Sequence, residues 1–270
     1  MCYICPVNLL TSQLNQMPRY FLEVSYKGSA YSGFQSQLNA NTIQAEVERA
    51  FKILHKKEAT LVGSSRTDAG VHARQNYFHF DFPGKLPHQF VYKMNAILPG
   101  DIVVRKLVPV NDDAHCRFDA ISRTYLYYIY QQKDPFLRDR AYYFPYKLQI
   151  EKMLNAAELL KQFKDFASFS KRKTQVKTFD CNIYRSEWEM HENIFLYRVT
   201  ANRFLRGMVK GLVATMLLIG RNKISLDEFV SIIESRNCER ANFAAPSHAL
   251  FLESVNFPDG YFEAKSHLRV

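Results

Sequence analysis

Tyr20-Phe21-Leu22-Glu23-Val24-Ser25-Tyr26-Lys27 is the stretch that sets the fold. Tyr20, Leu22, Val24 and Tyr26 fall on one face, and Glu23, Ser25 and Lys27 on the other. Successive side chains of a strand point to opposite faces, so this period of two predicts a half-buried β-strand. Thr42 then offers an N-cap oxygen, and Ile43, Val47, Ala50, Phe51 and Leu54 return on one helical face. Leu61 and Val62 make a short strand, and residues 77–82 alternate as another. Phe90, Val91, Met94 and Ile97 predict a second helix, stopped by Pro99-Gly100, with a strand over 102–108 beyond it. Strand, helix, strand, strand, helix, strand is the order of the ferredoxin-like split βαβ unit.

The rest of the chain repeats the pattern. Strands are predicted over 124–130, 179–190, 194–201 and 251–257, and helices over 150–163, 203–219 and 226–233. Gly207 and Gly211 read as close-packing positions on the helix from Arg203. The expected fold class is therefore α+β: two ferredoxin-like (RRM-like) halves, each an antiparallel sheet flanked by helices, with a cleft between them. The expected divisions are an N-terminal extension at 1–17, one half over 18–116, the second over 117–262, and a tail at 263–270. Residues 1–16 lack both periodicity and the cationic start of a signal peptide, and Met17 stands directly before the first strand, which makes it a candidate start.

Composition narrows the partner. The 270 residues carry 36 Lys and Arg against 26 Asp and Glu, a formal charge of +10, which favours a polyanion such as nucleic acid. Aromatic residues are 14% of the chain, and rings that are not core can stack on unpaired bases. The five cysteines, Cys2, Cys5, Cys116, Cys181 and Cys238, are odd in number and scattered, so no disulfide framework is implied. Cys2 and Cys5 have ligand spacing but lack the second pair that a zinc site needs. No apolar run approaches the ~20 residues that cross a bilayer. The expectation is a cytoplasmic protein with no membrane partner.

One segment carries candidate chemistry: Ser64-Ser65-Arg66-Thr67-Asp68-Ala69-Gly70-Val71-His72-Ala73, between two strands. It places a carboxylate two positions from a guanidinium on a loop over a strand scaffold, where reactive groups are commonly carried. Read from its residues alone, the segment is better described as a Thr/Asp/Gly turn with Asp68 as a cap or turn former. A metal at Asp68 and His72 has weak support, since no further His or Cys lies nearby. No phosphate-binding loop, nucleophile elbow or dinucleotide fingerprint occurs.

The same segment closely resembles the catalytic motif of the TruA family of tRNA pseudouridine synthases, Gly-Arg-Thr-Asp-Ala-Gly-Val-His-Ala, with Ser65 in place of the glycine. The resemblance extends from about Arg19 to Pro258. Tyr31-Ser32-Gly33-Phe34-Gln35-Ser36-Gln37 is similar to a family segment with tryptophan at Phe34. Asn41-Thr42-Ile43-Gln44, Asn95-Ala96-Ile97-Leu98-Pro99 and Asp165-Phe166-Ala167-Ser168-Phe169 resemble further signatures, and His115 to Ala120 with Arg123-Thr124-Tyr125 resembles the segment bearing the family's tyrosine. Asn202-Arg203-Phe204-Leu205 with Met208-Val209-Lys210 resembles the helix that usually ends in an arginine, here Lys210, and Ala249-Leu250 stands for the family's Gly-Leu.

The resemblance implies isomerisation of uridine to pseudouridine at positions 38 to 40 of the tRNA anticodon arm, in a cleft between the halves, without cofactor or metal. It implies a homodimer spanning one tRNA. It assigns catalysis to Asp68 as nucleophile or base, to Tyr125 stacked on the target uracil, and to Lys210 as the cation beside Asp68. A lysine there keeps the charge and loses the two-pronged guanidinium contact. Substrate contacts fall to Arg66, Tyr125 and Leu250, and RNA contacts to Arg66, Lys171, Arg172, Lys173, Arg203 and Arg206. Two rival readings are a non-catalytic RNA-binding module and a metal-dependent hydrolase built on Asp68 and His72.

Overall fold

The computed structural model describes residues 17–83, 86–172, 176–191 and 193–263. The extension at 1–16 with Cys2 and Cys5, Lys173, and the tail from 264 onward lie outside the described residues.

In the first half, β1 (Arg19–Tyr26) leads to α1 (Ile43–His55), β2 (Val62–Gly63), β3 (His72–Asp81), α2 (Phe90–Ile97) and β4 (Ile102–Val110). Thr42 caps α1 as expected, its hydroxyl accepting from Ala45 N–H, while Ile43, Val47, Ala50 and Phe51 turn inward. Pro109 lies within β4, an edge strand of the sheet, where a residue without an N–H is tolerated. The second half runs β5 (Ser122–Tyr130), β6 (Tyr142–Tyr143), α3 (Ile150–Leu159), β7 (Ile183–His191), β8 (Ile194–Ala201), α4 (Met208–Gly220), α5 (Leu226–Glu234) and β9 (Leu250–Asn256).

The class is α+β, and the two halves join in one nine-stranded sheet ordered β4-β1-β3-β9-β5-β8-β7, with β2 added to β3 and β6 to β5. Numbering the four main strands of each half from its start gives the ferredoxin-like order 4-1-3-2 twice. The seam is the pairing of β3 with β9, a parallel contact of two residue pairs, His72 with Phe251 and Ala73 with Leu252. β1 occupies the other edge of β3, so β2 and β9 share one edge: β2 at Phe78 and His79, β9 at His72 and Ala73. The segment between β2 and β3 leaves the sheet where the second half enters it.

There are two cores, one centred on each half, with Val71 lent to the second and Leu252 and Val255 of β9 lent to the first. Phe51, Phe90 and Met94 pack with Leu22, Phe78 and Phe80 in the first, and α4, buried almost all round, packs with Tyr127, Tyr197 and Phe229 in the second. Tyr125 touches both.

Several boundaries differ from the sequence reading. β3 starts at His72 rather than 77, because the polar His72 and Asn76 interrupt the apolar alternation yet are buried and hydrogen-bonded. α4 starts at Met208 rather than Arg203, because Gly207 adopts φ +75° and residues 202–207 form a loop. Gly207 is thus a turn position, while Gly211 is a packing position facing Phe243 and Phe169. α3 tightens into a 3₁₀ turn at Leu160–Gln162, and β7 begins at Ile183 rather than 179.

Candidate active site at the seam of the sheet

The loop from Gly63 to Val71 is held from three sides. Asn76, fully buried, accepts from Ser65 N–H through Oδ1 (3.2 Å) and donates to Ser65 O (2.8 Å) and the Tyr26 hydroxyl (3.2 Å). That hydroxyl also bonds Thr67 Oγ1 at 2.8 Å. From the 28–34 loop, Phe34 N–H donates to Thr67 O and Tyr31 O accepts from Gly70 N–H. Phe34 is itself buried, stacked on Phe78 at 4.6 Å between centroids, a burial that contributes ~2–3 kcal/mol.

His72 fastens the third side. Its Nδ1 accepts from Gly28 N–H (3.1 Å), so the proton sits on Nε2, which donates to His248 O (2.9 Å). Burial holds the imidazole below its ordinary pKa and hence neutral. Both nitrogens are committed to backbone, and among the described residues no cluster of three or more His, Cys, Asp or Glu side chains is arranged to hold a metal. Gly28 is required by close approach, since a Cβ there would lie 2.0 Å from Val71 O.

Asp68 emerges from this frame with its side chain about one-third exposed (34%), within reach of the second half. The nearest cation is Arg206, whose Nε lies 3.9 Å from Asp68 Oδ1. Arg206 hangs from the loop before α4, where the Lys171 N–H donates to Arg206 O and the Lys171 stem lies over Gly207. Lys210, one turn into α4 and buried, donates to Ser247 Oγ at 3.0 Å. Burial first, then the neighbouring Lys171, lowers its pKa, and Asp68 opposes that shift, so the ammonium and the carboxylate feel one another.

Tyr125, half-buried on β5, meets Phe204 edge-on at 5.0 Å between centroids. Burial, then Tyr26, and also the charge of Asp68 push its phenol pKa up, so it stays protonated at neutral pH. Leu250 opens β9 opposite Tyr127, buried in the second core, directly after the 246–249 segment that receives His72, Tyr127 and Lys210.

The remaining residues scatter along the rim. Arg66 is exposed beside Asp68. Arg203 donates to Thr178 Oγ1 at 3.4 Å and, with Arg66, lies close enough to Arg117 to depress its pKa. Lys171 is half-buried behind Arg206, whereas Arg172 turns to an ion pair with Glu239. Lys173 lies outside the described residues.

Sequence reasoning missed three contributors. Arg206 was placed only among RNA contacts, because the turn that brings it to Asp68 was read as helix. Ser247 lies in a segment with no periodicity. Arg123 stands in the family segment that bears the tyrosine but is assigned no role by the sequence, yet its buried guanidinium bonds Ala120 O, Asn202 O and Arg117 O and so ties the turn before β5 to the loop before α4.

A strand-seam carboxylate among cations, beside a protonated tyrosine, describes the class of protein: an enzyme acting on a polyanionic substrate where two ferredoxin-like halves meet. A family model described as tRNA pseudouridine synthase matches residues 23–119 and 156–258, and the chain belongs to that family. It is 43% identical over 251 residues to tRNA pseudouridine synthase A of Porphyromonas gingivalis, covering 91% of this chain and 100% of that one. The corresponding protein of Parabacteroides distasonis is 42% identical, over 91% of this chain and 98% of its own. That of Staphylococcus saprophyticus is 41% identical, over 88% and 90%.

Proposed function

We propose that this protein isomerises uridine to pseudouridine in tRNA, with Asp68 as nucleophile or base. The observation that carries the reading is Asp68 itself: a partly exposed carboxylate on a braced loop, with Arg206 at 3.9 Å and the Lys210 charge nearby. A polyanion repels a bare carboxylate, so these cations let RNA and carboxylate meet. In the reaction the glycosidic bond breaks, uracil turns, carbon 5 joins the ribose and loses its proton. Asp68 initiates the cleavage. Tyr125 stacks on the ring and its neutral phenol passes a proton. Leu250 closes the apolar side, and Arg66, with Lys171, Arg172, Arg203 and Arg206 around the rim and Lys173 next to them in sequence, holds phosphates while the nucleotide leaves its stack.

The reading extends to uridines 38, 39 and 40 of the anticodon arm, to a homodimer engaging one tRNA, and to the cytoplasm as the place of action. No described helix is long and apolar enough to cross a membrane. The family's assignment and the basic rim support an RNA substrate.

The test uses unmodified tRNA tritiated at uridine carbon 5. The wild type releases tritium, with or without a strong chelator, and Asp68→Ala does not. Equal release from both proteins ends the assignment, and no release from either, with tRNA still bound, leaves an RNA-binding module.

A further inference from the structure

The turn between β4 and β5 holds side chains that this mechanism does not use. Phe118 is 75% exposed, yet its backbone is fixed. His115 Nδ1 accepts from the N–H groups of Arg117 and Phe118, His115 N–H donates to Asp119 Oδ2, and the Tyr261 hydroxyl donates to the same carboxylate. Arg123 grips Arg117 O from below. The His115 ring lies 4.2 Å from the Phe118 ring between centroids, and the Arg117 guanidinium 5.7 Å from it. Holding a large apolar ring in water on a rigid turn leaves burial free energy unused, and an incoming planar group recovers it without an ordering cost.

The ring is one wall of a pocket of about 270 Å³ whose other walls include Phe34, Gln35, Gln44 and Arg66. The pocket is also electropositive. Arg117 is pulled below the usual guanidinium range by burial and then by Arg66 and Arg203, and none of the three is ion-paired with a carboxylate among the described residues. A ring wall beside unmatched guanidinium groups is what an unpaired nucleotide requires: a face for the base and cations for its phosphate.

We propose that this pocket is a second nucleotide site, in which an unpaired tRNA base other than the target stacks on Phe118 while its phosphate rests on Arg66 and Arg117. Arg66 stands two residues from Asp68, so the strand that presents uridine to the carboxylate passes the pocket within a nucleotide or two. The site fixes which uridine of a loop reaches Asp68. This rests on the tRNA reading above.

Dissociation constants are measured for unmodified tRNA and for a series of the same tRNA, each with one abasic nucleotide in the anticodon arm. Phe118→Ala weakens binding about tenfold, the size of one base–aromatic stack, and Phe118→Trp restores it. One abasic position weakens the wild type equally and weakens Phe118→Ala no further, the signature of a shared contact. Wild-type affinity in Phe118→Ala overturns the proposal, as does simple additivity at every position. Either failure leaves the Asp68-dependent release of tritium untouched, so the two readings stand or fall separately.

Discussion

In the proposed site, two cations, Lys210 and Arg206, stand near Asp68 where the family pattern has one arginine. Arg206 reaches the Asp68 carboxylate from outside, and Lys210 supplies a buried charge anchored on Ser247. Lys210→Met should lower turnover by about a hundredfold, the scale of one lost electrostatic contact in a closed site, and change tRNA affinity little. A pure affinity loss in single-turnover and binding assays makes Lys210 a phosphate contact instead. The lowered pKa of Lys210 adds a pH signature. Its charge is complete below that pKa and lost as pH rises through it, so wild-type turnover should fall at a pH below the usual lysine range near 10.4. Lys210→Arg, whose charge persists, should carry activity to higher pH, read from rate–pH profiles. The motif around Asp68 was legible because it is short and local. Its electrostatic partners, Arg206 and Lys210, lie about 140 residues further along the chain, and the turn at Gly207 and the Ser247 hydroxyl position them.

The elements were legible in proportion to how purely apolar their buried faces are. α1 follows from Thr42 and the Ile43, Val47, Ala50, Phe51 stripe. Thr42→Ala should cost about 1 kcal/mol in denaturant unfolding and leave tritium release unchanged. β3 was half legible, because His72, Asn76 and His79 are buried polar side chains whose cost is met by hydrogen bonds that no pattern announces. These histidines make the strand sensitive to acid. Burial lowers both pKa values, that of His79 to about 4. Unfolded histidine takes a proton near 6.5, so the stability they contribute is full above that pH and drains as pH falls from 6.5 towards 4. The urea midpoint should therefore drop between pH 7 and pH 5, and drop less in His79→Gln.

At the scale of the molecule, two ferredoxin-like halves were read from element order, and their fusion into one sheet was not. The seam is only the pairs His72–Phe251 and Ala73–Leu252, too short for β-propensity to signal. It is reinforced by the line from Gly28 through His72 to His248, and on to Ala141, and by ion pairs of Lys27 with Asp139 and Arg74 with Glu253. Trp188, the sole tryptophan, reports on the second half alone. Wild-type unfolding should give coincident midpoints by tryptophan fluorescence and far-ultraviolet circular dichroism, and His72→Ala should separate them. Coincident midpoints in the variant would show that the imidazole contributes little to coupling.

The join of the two halves is two residue pairs wide, and the loop that carries Asp68 ends directly at it. Any change in the angle between the halves therefore alters how Arg206 and Lys210 face Asp68, because both cations belong to the second half. In the proposed reaction a nucleotide leaves its stack at least cost near the frayed end of a stem, and the pocket at Phe118 then sets which of the freed uridines is presented to Asp68.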